Sequence, residues 1–328
     1  MKVIRKIFHP ALLVAAFACV ASASVACADA GRPALHVEAA EHVPAANVAM
    51  MLAASLAGKR IVAVGDRGVV LLSDDDGKTF RQARSVPVSS SLTGVSFADA
   101  RTGWAVGHWG AIVKTTDGGE TWTVQRSDLT VDQPLFSVYF KNTHEGWTVG
   151  LWSLMLHTTD GGATWSTVKL PPPLGAKKAD RNLYSIFADA KGSLFIACEQ
   201  GRVLRSSDGG VTWTYAETGY SGSFWSGVAL QDGTLLVGGL RGTIYRSADG
   251  GSTWTAARTP FKSSVTGMVQ RFDKSIVASA LDGVTFVSHD DGATFTGTQR
   301  PDRTAPTAVV DTQEGVPVFF TSDGPVVR

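Results

Sequence analysis

An eight-residue phrase, Ser/Thr-x-Asp-x-Gly-x-Thr-Trp/Phe, occurs six times in this 328-residue chain. The copies begin at Ser73, Thr115, Thr158, Ser206, Ser247 and Ser288. Their aspartates, Asp75, Asp117, Asp160, Asp208, Asp249 and Asp290, are 42, 43, 48, 41 and 41 residues apart. A fixed period of this length means that one supersecondary unit is stacked on itself. The phrase has the chemistry of a hairpin turn. A short Asp side chain accepts backbone N–H bonds within the turn, and Gly supplies a positive φ without a Cβ clash. The closing aromatic opens the next strand and can wedge between neighbouring sheets. These six aspartates therefore read as structural, since an active site needs one constellation and the box recurs throughout.

Around each box lie short β-type runs. Before the second they are residues 94–97, 104–107 and 111–114, and after it 122–125. Four short strands per period, separated by Gly-rich turns, predict four-stranded sheets. Repeated radially, such sheets form a β-propeller, which protects its edges by circular repetition. Helix-period patterning is absent downstream of the N-terminal segment.

The boxes resemble the Asp-box, or BNR, repeat of sialidases and related propellers. A second resemblance is more specific. Phe97-x-Asp99-x-x-x-Gly103-Trp104-Ala105-Val106-Gly107 and Phe140-x-Asn142-x-x-x-Gly146-Trp147-Thr148-Val149-Gly150 each run on through a short turn and strand into a box. This phrase resembles the photosystem II assembly and stability factor family of cyanobacteria and chloroplasts, which has relatives in non-photosynthetic bacteria. The resemblance extends over residues 45–328 by repeat count. It implies a seven-bladed, non-catalytic propeller that helps a membrane complex assemble.

The seventh blade can be read from the residues. After the sixth box, residues 307–311 and 316–321 look like strands, and Gly324 aligns with the turn between strands two and three. The last blade therefore lacks a box and a fourth strand. The expectation is an all-β, seven-bladed propeller with four-stranded blades. Residues 35–38 are expected to complete the last blade and close the ring, since an open circle would expose naked edges.

The N-terminus reads as an address. Lys2, Arg5 and Lys6 precede an apolar stretch at 11–21 and small-residue sites ending at Ala28 and Ala30, the pattern of an export signal. About 20 apolar residues are needed to span a bilayer, and this stretch is shorter. The expected organisation is a signal peptide over 1–28, cleaved after Ala28 or Ala30, and one propeller over 31–328. Cys27 is a second possibility, a lipidated N-terminus on the membrane, although Ser24 stands where that signal prefers Leu. The product is expected in the periplasm or the equivalent thylakoid lumen, as a monomer. With 30 basic against 29 acidic residues the chain shows no electrostatic footprint for nucleic acid. Loss of residues 1–28 removes three cations and no acids, and leaves Cys198 as a lone thiol.

Candidate binding residues come from comparing the repeats. The turn between strands two and three recurs in register, framed by glycines, and its third position reads Arg67, Trp109, Trp152, Gln200, Arg241, Asp282 and Asp323 around the ring. His108 precedes Trp109 in the second turn. The loop over 169–183, the longest between repeats, emerges on the same face and carries Pro171-Pro172-Pro173, Lys177, Lys178 and Arg181. Trp109 and Trp152 are expected side by side, near Arg181, as a partner-binding patch, because Trp and Arg dominate interface hot spots. The family resemblance is associated with an arginine-rich patch. Here only Arg67 and Arg241 occupy the third position, so that patch is thinned. The expected partner is a subunit of a membrane protein complex. The alternative is a sialidase-like glycoside hydrolase or a carbohydrate binder. The sialidase Arg-Ile-Pro motif does not occur, and none of the five tyrosines sits in a nucleophile motif. A two-carboxylate pair drawn from Asp66, Asp128, Asp132, Asp180, Glu199 and Asp282 remains open. The histidines lack metal-ligand spacing, and no phosphate-cradling loop precedes a helix, so no metal or cofactor is expected.

Overall fold

A computed structural model of the chain describes residues 37–326. It is a ring of seven antiparallel sheets, and in each the strands follow chain order from the centre outward. The first strands are Met51–Ala57, Leu92–Phe97, Leu135–Phe140, Leu183–Ala188, Phe224–Ala229, Val265–Gln270 and Pro306–Asp311. Each packs against the first strand of the next blade, and the seventh against the first. Six blades have four strands, and the seventh has three among the described residues.

Burial explains the composition of the strands. Second strands such as Gly103–Gly107, Gly146–Gly150 and Leu194–Cys198 are buried along their whole length, because a neighbouring blade covers each face. They accordingly read as continuous apolar runs rather than alternating ones. Trp104 shows how one blade grips the next. Its ring stacks on Phe140 of the third blade, 3.4 Å between centroids and 4° from parallel. Its Nε1 donates to the carbonyl of Gly161, inside that blade's box, at 3.2 Å.

The boxes themselves are closed hydrogen-bond units. In the third, Asp160 Oδ1 accepts from Thr158 Oγ1 at 2.8 Å and from the Thr164 amide at 2.9 Å, while Oδ2 accepts from Thr164 Oγ1 at 2.6 Å. Thr158 Oγ1 in turn accepts from the Gly162 amide at 2.9 Å. The same four bonds recur at Asp75, Asp117, Asp208, Asp249 and Asp290. Box aromatics seal the seams: Trp122 joins Val62 and Leu72 of the first blade in one buried cluster, and Phe80 of the first blade packs edge-on to Phe320 of the seventh.

The last blade follows the sequence reading in part. Ser322 and Asp323 form the turn between Pro317–Thr321 and Gly324–Pro325, with Thr321 paired to Gly324. Its closure differs from expectation. Leu35 and His36 lie outside the described residues, as does the signal-type segment 1–28, and Val37 and Glu38 are not in a strand. The chain that follows is caught by the first blade. The Ala40 amide donates to Val86 O at 2.9 Å, Gln82 Nε2 donates to Glu41 O, and the Val43 amide donates to Gln82 Oε1. The seam closes by packing instead: Ala46, Met51 and Leu71 join Val310, Val318 and Phe320 in one buried cluster, and Thr307 Oγ1 donates to Met51 O. The free outer edge of the first blade, with the Gln82 amide on it, holds this segment through both donor and acceptor.

The box bonds carry a pH signature. The Thr79 hydroxyl and amide hold Asp75 at about 2, and the Thr212 hydroxyl and amide do the same for Asp208. A carboxylate depressed in the fold stabilises it above the unfolded-chain value, near 4, and loses that contribution as pH falls through the folded value. Thermal stability should therefore be flat from neutral pH down to about pH 5 and fall steeply between about pH 4 and 2. Melting temperature against pH measures this. Asp208→Asn should lower the plateau and shrink the acid-dependent drop.

Candidate functional site

The seven turns between strands two and three lie at the end of the ring where each first strand begins. In six blades the carbonyl just before the first strand accepts from the turn's second residue, as Met50 O does from Asp66 N, Ser91 O from His108 N and Ser223 O from Leu240 N. Within the turns two successive residues have positive φ. Arg67, Trp109, Trp152, Gln200, Arg241 and Asp282 lie between 52° and 58°, followed by Gly68, Gly110, Ser153, Gly201, Gly242 and Gly283. A bond that closes the tip, such as Val69 N to Asp66 O at 3.0 Å, completes a type I′ hairpin turn.

The second of these positions is glycine because the next connecting loop presses on it. A Cβ on Gly68 would stand 1.9 Å from Val88 O, and one on Gly201 would stand 1.8 Å from Tyr220 O. Blade three escapes this: there the Ser153 amide donates to Arg181 O at 2.7 Å and its hydroxyl to the same oxygen at 3.1 Å. The first position has no such neighbour and carries Arg, Trp, Gln or Asp. A bulky residue at positive φ costs roughly 1–3 kcal/mol, and such residues cluster where a side chain is being presented.

Side chains that precede the next blade's first strand hold three of the turns in place. The Trp109 amide donates to Asp132 Oδ1 at 2.8 Å, the Trp152 amide to Asn182 Oδ1 at 3.0 Å and the Arg241 amide to Ser264 Oγ at 3.1 Å. Asn182 and Ser264 were not singled out by the sequence reading. Their register, immediately before a first strand in the aligned repeats, is the signal that could have found them.

The candidate residues divide into presented and committed. Trp152 is 59% exposed, which rules out a role as an inter-blade plug. Trp109 is half-buried, in the same turn position one blade earlier. Arg67, Gln200 and Arg241 are exposed. His108 Nδ1 lies 3.1 Å from Asp132 Oδ2. The 169–183 loop is anchored by buried Leu170 and Pro173 and projects Leu174, Lys177 and Lys178 outward. Arg181 belongs with the frame: its side chain is mostly buried, its Nη1 pairs with Asp180 at 2.8 Å, and its carbonyl holds Ser153.

The carboxylates named for a glycosidase pair are engaged as well. Asp66 accepts from Ser91 Oγ, Asp180 pairs with Arg181, Glu199 accepts from the amide and Nδ2 of Asn182, and Asp282 accepts from Ser263 Oγ. The Thr130 hydroxyl and amide lower Asp128. Partial burial works to raise Asp132, but the Trp109 amide and the His108 ring outweigh it and the net shift is downward. A general acid needs the opposite shift. Among the described residues no three His, Cys, Asp or Glu side chains gather as a metal would require.

Cys198 stands where four other blades have glycine. A Cβ on Gly65, Gly107, Gly150 or Gly239 would meet the carbonyl before the first strand at 2.0–2.2 Å. Cys198 relieves that approach with φ −129° against −165° to −174° for the glycines. It is wholly buried, its Sγ donates to Ile196 O at 3.2 Å, and burial pushes the thiol up to about 12.

The fold and this face define the class: a seven-bladed Asp-box propeller presenting variable side chains on type I′ turns. Residues 81–236, from the fourth strand of blade one into the second strand of blade five, match the family described as photosynthesis system II assembly factor YCF48. Among solved structures it is similar to YCF48 bound to D1 peptide, at 18% identity over 88% of this chain and 94% of that one, with a TM-score of 0.67. It is also similar to YCF48 from Cyanidioschyzon merolae, at 16% identity over 87% of this chain and 97% of that one, TM-score 0.66. Among curated proteins none matches the sequence.

The thiol offers a direct check of the packing. In a chain lacking residues 1–28, which hold the other two cysteines, Cys198 should resist thiol reagents at pH 8 and react fully in denaturant. Rapid modification of the folded protein would contradict the burial described.

Proposed function

We propose that this protein is an exported, non-catalytic propeller that acts as an assembly or accessory factor, docking a segment of a membrane-protein subunit on its type I′ turn face. The observation that carries the reading is the row of six bulky residues held at positive φ at one end of the ring, with Trp152 presented to solvent. Frame positions in these turns are mostly glycine while the tip residue changes from blade to blade, so the variation at the tip serves what the face meets rather than the fold. The YCF48 repeat over residues 81–236 supports the class of partner, and the similar YCF48 structure holds a D1 peptide. The side chains here differ from an arginine-rich patch, with tryptophans in blades two and three. The partner assigned is therefore a membrane-complex subunit of unspecified identity. The basic and apolar N-terminal segment supports export, with Cys27 as a point of lipid attachment in the second arrangement.

A presented Trp at an interface centre is worth about 2 kcal/mol or more on truncation, a loss of roughly thirtyfold in affinity. Trp152→Ala should therefore melt with the wild type, as exposed substitutions do, and should lose capture of its complex from detergent-solubilised membranes. Pairing it with Lys177→Glu should deepen the loss. A stable Trp152→Ala/Lys177→Glu variant that captures the same complex in full would overturn the docking face.

A further inference from the structure

All seven first strands contain the same irregularity. Pairing with the second strand slips by one residue, leaving Leu52, Thr93, Phe136, Tyr184, Trp225, Thr266 and Thr307 as the extra residue of a bulge. Bulges re-aim a side chain, and here all seven line the central channel. In six of the blades it lies two residues beyond the carbonyl that receives a turn amide, so the ring of bulges is the channel mouth on the type I′ face.

Apart from Leu52 of the first blade, the bulge residues serve two different ends. Where the residue is Thr, its hydroxyl ties one blade to the next: Thr93 Oγ1 donates to Leu135 O, Thr266 Oγ1 to Pro306 O at 2.8 Å, and Thr307 Oγ1 to Met51 O. Each acceptor is the first residue of the following first strand. Blades three, four and five give up this tie and place an aromatic ring there. Phe136 and Tyr184 stack 5.6 Å apart at 17°, Trp225 follows in the next blade, and all three are half-buried. Tyr184 OH reaches Glu199 Oε1, in the fourth blade's turn, at 3.4 Å. Three successive blades thus forgo a hydrogen bond between blades to surround one side of an opening with rings.

We propose that this aromatic arc is an anchor pocket for one aromatic or branched apolar side chain of an extended peptide whose neighbouring residues are acidic. The proposal rests on the reading of this face as a docking surface and names the chemistry of what docks. Size favours a single side chain: the channel encloses about 210 Å³, below the roughly 300–1,000 Å³ of small-molecule sites. Charge favours acidic flanks. Lys177, Arg241 and Lys262, from the connecting loops and turn beside the arc, are exposed and make no ion pair among the described residues. The turns across the channel carry Asp282, Asp323 and Asp66. The threonine hydroxyls at the mouth are spent on the ties between blades described above, and Ser137 Oγ accepts from the Ile186 amide.

The test uses the fold's own tolerance. Threonine occupies the same bulge in three blades, so Tyr184→Thr and Trp225→Thr should fold and melt close to the wild type. Peptides selected from a random phage-displayed library on the full chain should share an apolar residue flanked by Asp or Glu. Both variants should bind them about tenfold or more weaker. A selected peptide carrying benzophenone at its apolar position should photo-crosslink to Phe136, Tyr184 or Trp225 in the wild-type protein, a readout independent of variant stability. Crosslinking elsewhere, selected peptides indifferent to both substitutions, failure to select any peptide, or retention of chitohexaose in place of peptides would each overturn the proposal. If membrane-complex capture still depends on Trp152 while the arc fails these tests, the docking face stands and only its anchor is refuted.

Discussion

The structure depends on what a single carboxylate can accept. In each box one Asp takes hydrogen bonds from a hydroxyl, an amide and a second hydroxyl within eight residues, and the first hydroxyl passes the constraint on to a glycine amide. The turn so made is stiff without burying much apolar surface. It fixes where the third strand ends and where the aromatic behind it enters the seam. It also serves the neighbouring blade: Trp104 Nε1 reaches the Gly161 carbonyl, and the Trp122 amide donates to Ser85 O. Local turn and inter-blade contact are one device, which is why the ring needs no helices and no disulfide among the described residues to hold its register.

With one end of the ring stiffened by boxes, the other end is free to vary. Its turns are held from outside, by Asp132, Asn182 and Ser264 of the following blade, so the residue at the tip is released from structural duty. The backbone there adopts a conformation that favours glycine and carries Trp and Arg instead. Local rule-breaking of this kind is expected where function, rather than folding, selects the residue. The blades are equivalent in frame and different in what they present, which suits an irregular protein segment better than a symmetric ligand.

Much of this was legible in the chain. The box spacing gave the repeat, and Asp and Gly at fixed offsets gave the turn. The alignment of Gly324 with earlier turns correctly placed the truncated last blade. Closure is less legible: of residues 35–38, which look like the missing strand, only Val37 and Glu38 are described, and they are not in a strand. The competing partner, the outer edge of blade one with the Gln82 side chain, is visible only once Arg81–Gln82 is placed there. The surroundings of Arg181 are hidden in the sequence for a similar reason. Nothing in Lys177-Lys178-Ala179-Asp180-Arg181 shows that Asp180 will fold back on it and that its carbonyl will hold the Trp152 turn.

Sequence by itself determined the period, the strand count per blade, the identity of the turn residues and the candidates for presentation. These follow from short-range chemistry: an Asx-type turn, a positive φ and a short apolar run are all decided within a few residues of one another. Tertiary structure alone decided which candidates are free and which are consumed, since a side chain's partner lies a full period away in sequence and one blade away in space. It alone revealed the aromatic arc. Phe136, Tyr184 and Trp225 are unremarkable members of three separate strands until ring closure brings every first strand to a common axis and a shared bulge turns their rings into its mouth.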